Sequence, residues 1–298
     1  MRLRRLSLTA AVATAALALA ACGQQESIGG GSTAPAPEVA QDVQFEAGTT
    51  MAELSEAGTI RIGTKFDQPL FGLRTLDSQL TGFDTEIARI IAAGLGIEPD
   101  SIEWVEAPSA QRETLIQRDA VDMVVATYTI NDTRRESVSF AGPYYEAGQT
   151  LMVRSDNQDI NGPDDLRASG ARVCSVTGST PAQNIEEYVD PAQLTLFEAY
   201  TQCRDSLDNG QVDVVTTDNV ILAGYVAESD GAFKLVGDQF TEEPYGIGIT
   251  KGDVAFCEFI NQTLTEAEAS GAYADAWTAT AGAVISEVPE LPEFAPCS

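Results

Sequence analysis

The chain has 298 residues, enough for two domains of ordinary size. Its 17 Lys and Arg face 45 Asp and Glu, and the resulting net charge of −28 argues against nucleic acid, whose phosphates need basic surfaces. The complete lack of histidine excludes a histidine-based catalytic triad, a histidine-containing zinc site and a histidine pH switch. Such acidity suits an exported protein kept soluble by its own charge. The N-terminus reads as an export signal: Arg2, Arg4 and Arg5 precede an apolar run from Leu6 to Ala21, shorter than the roughly 20 residues a membrane span needs. No second long apolar run follows, so the protein is not expected to span a membrane.

The apolar run ends in Leu19-Ala20-Ala21-Cys22, which resembles a bacterial lipobox. Such a signal is cut before its cysteine, and the resemblance implies a diacylglycerol on the Cys22 thiol. Cleavage removes three arginines and no acids from the −28 total, leaving −31. Residues 23–46 are rich in Gly, Ser, Ala, Pro and Gln without apolar periodicity and read as a flexible tether with a reach of roughly 25–30 Å. The remaining cysteines, Cys174, Cys203, Cys257 and Cys297, allow three pairings, and an exported setting favours disulfides. They contain no Cys-x-x-Cys pair, which weighs against zinc.

From Thr59 onward, short apolar runs alternate with helical patterns. Ile60–Gly63 reads as a strand, and Phe83–Leu95 as an amphipathic helix with Ile87, Ile90 and Ile91 on one face. Ile102–Val105 is a strand, Gln111–Arg118 a helix and Val121–Ala126 a buried strand. After Gly142-Pro143 comes an extended run, Gln149–Arg154. Arg172–Val176 is a strand, followed by a helix near Pro181–Tyr188, a strand at Leu194–Phe197 and a helix over Thr201–Asn209. Val212–Thr216 is a strand, after which Asp218, suited to an N-cap, opens a helix through Val226. Strands at Phe233–Val236 and Tyr245–Ile249 and two helices from Val254 and Ala272 close the chain. This alternation predicts an α/β fold with largely parallel sheets. Ligands then bind beyond the carboxyl ends of strands, here after Gly63, Ala126, Val176 and Thr216.

Those loops hold the charge expected of a site for an α-amino acid. Arg134 can grip a carboxylate with two parallel donors, hydroxyls and free backbone N–H groups can complete the clamp, and Asp218 can receive an ammonium. Gly178 would let a ligand oxygen approach the backbone at a helix start. The same residues also admit plainer readings: a surface ion pair for Arg134, a helix cap for Asp218, a salt bridge from Arg112 to Glu113 or Asp119, and one from Lys65 to Asp67. Phe66, Phe71 and Tyr128 are candidates for cavity walls or for core.

The runs VVATYTINDTRRESVSFAGPYY, TGFDTEIARIIA, VTGSTPAQNI and GQVDVVTTDNVIL resemble the signatures of amino-acid-binding proteins of ABC importers, over about Ile60–Trp277. GTKFDQPLFGLRT, PSAQRETLIQ and CSVTGSTPAQ resemble most the glutamate-binding branch. The resemblance implies a two-lobed type II periplasmic-binding-protein fold with a two-strand hinge. Lobe 1 would comprise residues 49–147 and 243–298, and lobe 2 residues 148–242, with crossings near 147–153 and 241–247. Disulfides Cys174–Cys203 and Cys257–Cys297 would then each stay inside one lobe.

Carried onto this chain, the resemblance implies that Arg134 holds the α-carboxylate, helped by Thr129 and by the backbone near Thr127. Asp218 would take the ammonium, and Thr177 and Gly178 would donate from lobe 2. Lys65 and Arg112 would neutralise a distal carboxylate. Glutamine binders place an acid and an aromatic where this chain has Lys65 and Ser109, which favours glutamate, with aspartate and glutamine as further candidates. The expected partners are an acidic amino acid, ABC permease subunits and, through the lipid, the outer face of the cell membrane. No cofactor or metal is expected, and the protein is expected to be monomeric. A ligand sensor for another membrane protein and a dehydratase-like enzyme on the same fold are the alternatives.

Overall fold

The computed structural model describes residues 34–298. The export signal, Cys22 and the first part of the tether lie outside the described residues. Thirteen strands are described: β1 (Ile60–Thr64), β2 (Asp67–Gln68), β3 (Gly72–Arg74), β4 (Leu80–Thr81), β5 (Ile102–Glu106), β6 (Met123–Thr129), β7 (Ser139–Ala147), β8 (Gln149–Arg154), β9 (Val173–Val176), β10 (Leu194–Phe197), β11 (Val214–Asp218), β12 (Phe233–Val236) and β13 (Glu243–Ile249). The α-helices are α1 (Thr50–Ala57), α2 (Phe83–Gly94), α3 (Arg112–Gln117), α4 (Asp132–Arg135), α5 (Asp165–Ser169), α6 (Thr180–Asn184), α7 (Tyr200–Asp208), α8 (Asn219–Ala227), α9 (Val254–Ser270) and α10 (Ala272–Ala279).

Two five-stranded sheets organise the lobes, in the orders β5-β1-β6-β13-β7 and β10-β9-β11-β8-β12; β2, β3 and β4 form a small third sheet. The chain leaves the first sheet after Ala147 and enters the second at Gln149, then returns between Val236 and Glu243. The expectation of largely parallel sheets needs correction. In each large sheet two ladders are parallel, and the two involving β13 or β8 are antiparallel. The reason is connectivity: the strands next to each crossing reverse direction to reach the other lobe, whereas parallel neighbours need a helical crossover.

The core follows the residue pattern. Ile87 and Ile91 of α2 are fully buried against the first sheet, and α8 buries Val220, Ile221 and Leu222 beside the second. In the first lobe Phe71, Phe83, Tyr145, Tyr245 and Trp277 form an aromatic cluster, with Tyr145 stacked on Trp277 at 5.1 Å between ring centroids. Such pairs add to the gain from area burial.

Two local readings change. Strands β6 and β11 run on through Thr129 and Asp218, so residues assigned to loops stand on the carboxyl ends of strands. Nor is the tether free up to residue 46. The Ala40 N–H donates to the Ala93 carbonyl at 2.9 Å, and Phe45 packs edge-on against Phe259 at 5.5 Å. One aromatic among small residues gives no periodic signal, which is why composition alone misses this anchoring.

The described disulfides are Cys174–Cys203 and Cys257–Cys297. The first closes a loop of sequence separation 29, linking β9 to α7 within the second lobe. The chain-entropy model predicts that replacing both cysteines by serine lowers stability by about 3–4 kcal/mol. Urea unfolding with and without the bridge measures that loss.

Candidate functional site

The candidate site lies where β6 of one lobe faces α6 and β11 of the other. Gln68, Ser109, Arg112, Thr127, Thr129, Ser179, Thr180, Tyr200, Thr217 and Asp218 line a small, tightly closed cavity, together with Pro181 and Ile221. Four of the residues singled out in the sequence, Arg112, Thr127, Thr129 and Asp218, face it directly. Lys65 and Arg134 stand behind the lining.

The cations are buried and short of carboxylate partners. Lys65, 4% exposed, donates through Nζ to Ser109 Oγ at 2.8 Å. Lys65 makes no ion pair with Asp67, whose Oδ2 accepts the Tyr200 backbone N–H from the other lobe at 2.8 Å. Arg112, 2% exposed, spends its donors on carbonyls: Nη1 to Ala126 and Thr127 at 3.0 and 3.2 Å, and Nε to Ser109 at 3.3 Å. Glu113 pairs instead with Arg134 Nε, at 3.5 Å. Arg134, 7% exposed, also donates to the Thr129 carbonyl at 2.6 Å and to the Gly178 carbonyl at 3.2 Å. Both guanidinium groups lie over the Tyr128 ring, at 4.2 Å for Arg112 and 5.1 Å for Arg134, so this tyrosine is a cation platform rather than a wall. Phe71 belongs to the core, and Phe66 lies under Arg74.

Crowding like charges in a dry site has a measurable cost. Burial, with added repulsion from Arg112, pushes the Lys65 ammonium down to about 7. Burial likewise brings Arg134 down to about 10, with Arg112 contributing.

The opposite face is acidic. Asp218 stands at the N-cap position of α8, yet its side chain caps no backbone N–H. Its Oδ2 accepts the Tyr245 hydroxyl at 2.5 Å, while Oδ1 is buried without any partner and belongs to a residue lining the cavity. The helix-cap reading therefore fails. Burial and the nearby Glu243 push the Asp218 carboxyl up to about 7, as expected for a buried acid awaiting a cation.

Thr177 and Gly178 are not placed as donors to the cavity. The Thr177 N–H is taken by the Phe197 carbonyl at 2.9 Å, and Thr177 is exposed. Gly178 offers its carbonyl to Arg134 and serves close packing: a Cβ there would stand 2.7 Å from the Ala110 Cα. Ser179, the N-cap of α6, and Thr180, its first residue, line the cavity instead.

Thr127 also differs from expectation. Its backbone N–H donates to Asp84 Oδ2 at 2.8 Å, so it is not free for a ligand, and its φ of +44° lies in the left-handed region rarely adopted by threonine. Asp84, which also accepts the Tyr144 hydroxyl at 2.6 Å, fixes that bend; burial pushes its carboxyl up to about 7.

Sequence reasoning missed Glu243. Its carboxylate accepts from Thr129, Thr180, Asn184 and Thr241 at 2.6–3.0 Å, joining both lobes and the second crossing. It also missed Gln68, whose Nε2 is buried without a partner at the cavity. The Glu243-Pro244-Tyr245 run gave one usable signal, an acid opening an otherwise apolar strand. Among the described residues no group of three or more Cys, Asp or Glu side chains is placed to hold a metal ion.

Comparison with known proteins places this geometry in a family. Residues 60–278 match the model for bacterial extracellular solute-binding proteins, family 3. The glutamate-binding protein GluB of Corynebacterium efficiens is 43% identical over 237 residues, covering 76% of this chain and 80% of the relative. The ABC transporter glutamine-binding protein GlnH of Bacillus subtilis is 35% identical over 260 residues, covering 87% and 90%. Among solved structures, an ancestral arginine-binding protein bound to glutamine is 33% identical with a TM-score of 0.69, over 74% of this chain and 96% of that one. Two α/β lobes, a polar cavity between them and a family match over most of the chain agree: the protein is a member of the bacterial extracellular solute-binding proteins, family 3.

Proposed function

We propose that this protein captures L-glutamate between its lobes by hinge closure and passes it to the permease of an ABC importer. It is an extracytoplasmic, non-enzymatic amino-acid-binding protein of the ABC transporter class. The observation that carries the glutamate reading is the charge around the cavity. Arg112 lines it, buried Lys65 and Arg134 stand behind that lining on the same lobe, and Asp218 with an unpartnered oxygen faces them from the other. With Glu113 set against Arg134, two positive charges remain for two ligand carboxylates and Asp218 remains for the ammonium; a neutral side chain leaves one cation uncompensated in a desolvated place.

In this reading Arg134 takes the α-carboxylate, with the Thr127–Thr129 strand end beside it, and Asp218 Oδ1 takes the ammonium. Lys65 and Arg112 take the γ-carboxylate, and Gln68 Nε2 supplies a further donor. Residues 49–147 with 243–298 move as one lobe and residues 148–242 as the other, about the crossings near 147–153 and 241–247. Cys22 carries the lipid that holds the monomeric protein at the outer face of the membrane. The names of the GluB relatives favour glutamate over glutamine. Aspartate fits the same charges, and one methylene is worth only about 1–3 kcal/mol in a pocket.

Arg134→Ala is predicted to weaken glutamate binding by about 2–5 kcal/mol, since a buried carboxylate loses its partner. Calorimetry giving near-native affinity removes Arg134 from the site. Lys65→Glu reverses one charge and is predicted to turn preference away from glutamate in a thermal-shift ranking of the twenty amino acids; an unchanged ranking refutes the assignment.

The pH dependence follows from the same charges. A ligand carboxylate raises the Lys65 value from about 7, so above that pH binding takes up a proton and affinity falls as pH rises. A ligand ammonium lowers the Asp218 value from about 7, so below that pH binding releases a proton and affinity falls as pH falls. Affinity should peak near neutrality, with the proton exchange changing sign between calorimetric titrations on either side of it.

A further inference from the structure

Away from the charged groups, the lobes meet at a second place. Strand β2 and Pro69 of the first lobe press on the start of α7 and on α8 of the second. Asp67 Oδ2 accepts the Tyr200 backbone N–H at 2.8 Å, and the Asp67 carbonyl accepts the Tyr225 hydroxyl at 2.5 Å. The first amides of a helix have no partner within it, and Ala199, at the N-cap of α7, has no side-chain oxygen to offer. Gln202 Oε1 accepts the Ala199 N–H within the lobe, and the Tyr200 amide, the first of α7, is capped from the other lobe.

Gly224 makes the approach possible. It sits inside α8, where glycine weakens a helix relative to alanine, and its backbone is not in the left-handed region that would require glycine. A Cβ at this position would stand 2.7 Å from the Pro69 carbonyl oxygen and 3.0 Å from the Pro69 Cβ. The glycine is thus unfavourable for the helix and needed only when the lobes are together.

We propose that Asp67, Tyr225 and Gly224 form a closing lock that sets ligand affinity without touching the ligand. The inference rests on the hinge-closing reading above. These are positioning residues: Asp67 lies two residues from Lys65, so seating it on α7 also seats Lys65 beside the cavity.

The test compares whole-protein Gly224→Ala and Asp67→Ala with wild type, using L-glutamate calorimetry and ligand-free thermal unfolding. Gly224→Ala is expected to weaken binding roughly 10–100-fold, because the added methyl must be accommodated at a packed contact. Its ligand-free unfolding temperature should be equal or higher, because alanine favours the helix. Asp67→Ala should weaken binding by about tenfold through loss of a charge-assisted hydrogen bond. Wild-type affinity in both variants overturns the lock and leaves the glutamate reading standing. A Gly224→Ala protein that melts lower overturns it too, since the glycine then serves folding. If wild type binds no amino acid, the functional reading is lost, and amide exchange at Tyr200 decides the lock. Faster exchange in Asp67→Ala supports it, and unchanged exchange overturns it.

Discussion

Lys65, Arg112 and Arg134 share one buried region in which the one salt bridge made among the described residues is that of Glu113 with Arg134, while the buried carboxyls of Asp84 and Glu243 are held by hydroxyl and amide donors. Arg112 lowers the values of both Lys65 and Arg134, so the three groups repel one another. That repulsion raises the energy of the unoccupied closed form, and an anion between them reverses the sign. The protein lowers the standing cost by giving Arg112 and Arg134 carbonyl acceptors and an aromatic face. Carbonyls hold the guanidinium groups in position without neutralising them, which leaves their charge available. Much of the remaining architecture can be understood as support for that arrangement.

The support comes from both lobes. The first-lobe aromatic cluster fixes Tyr245, whose hydroxyl crosses to Asp218 Oδ2 and leaves Oδ1 free at the cavity. Glu243, two residues earlier, gathers hydroxyls from Thr129 and Thr180 across the cleft. The strand that returns the chain to the first lobe thus carries both the brace of Asp218 and the inter-lobe carboxylate. Because the two crossings are the only covalent routes between the large sheets among the described residues, closing can proceed as a hinge motion with each disulfide kept inside one lobe.

How much of this was legible in the sequence depends on the physics of each feature. Alternating apolar runs identify the α/β class and most elements, since the helical and strand periods differ strongly at residues such as Ile87, Ile90 and Ile91. Parallel versus antiparallel pairing was misjudged because direction is set by the crossings, which periodicity does not encode. Lys65, Arg134 and Asp218 could be singled out because they follow predicted strands, and Arg112 because it opens a predicted helix beside them. Hydroxyl residues do not stand out. Ser179 and Thr180, rather than Thr177 and Gly178, reach the cavity, past a left-handed turn at Gly178 that periodicity does not encode. The bend at Thr127 and the roles of Asp84 and Glu243 arise only from tertiary contacts, so no local pattern announces them.

A chain with a net charge of −28 repels an acidic ligand at long range, but salt screens that repulsion beyond a Debye length of about 8–10 Å, and the local cations govern the cavity. The most direct measurement is a crystal structure of the protein with L-glutamate. The account predicts the α-carboxylate on Arg134, the ammonium on Asp218 Oδ1 and the γ-carboxylate within hydrogen-bond reach of Lys65 or Arg112. A ligand bound outside the cavity, or one whose carboxylates avoid all three cations, would contradict it.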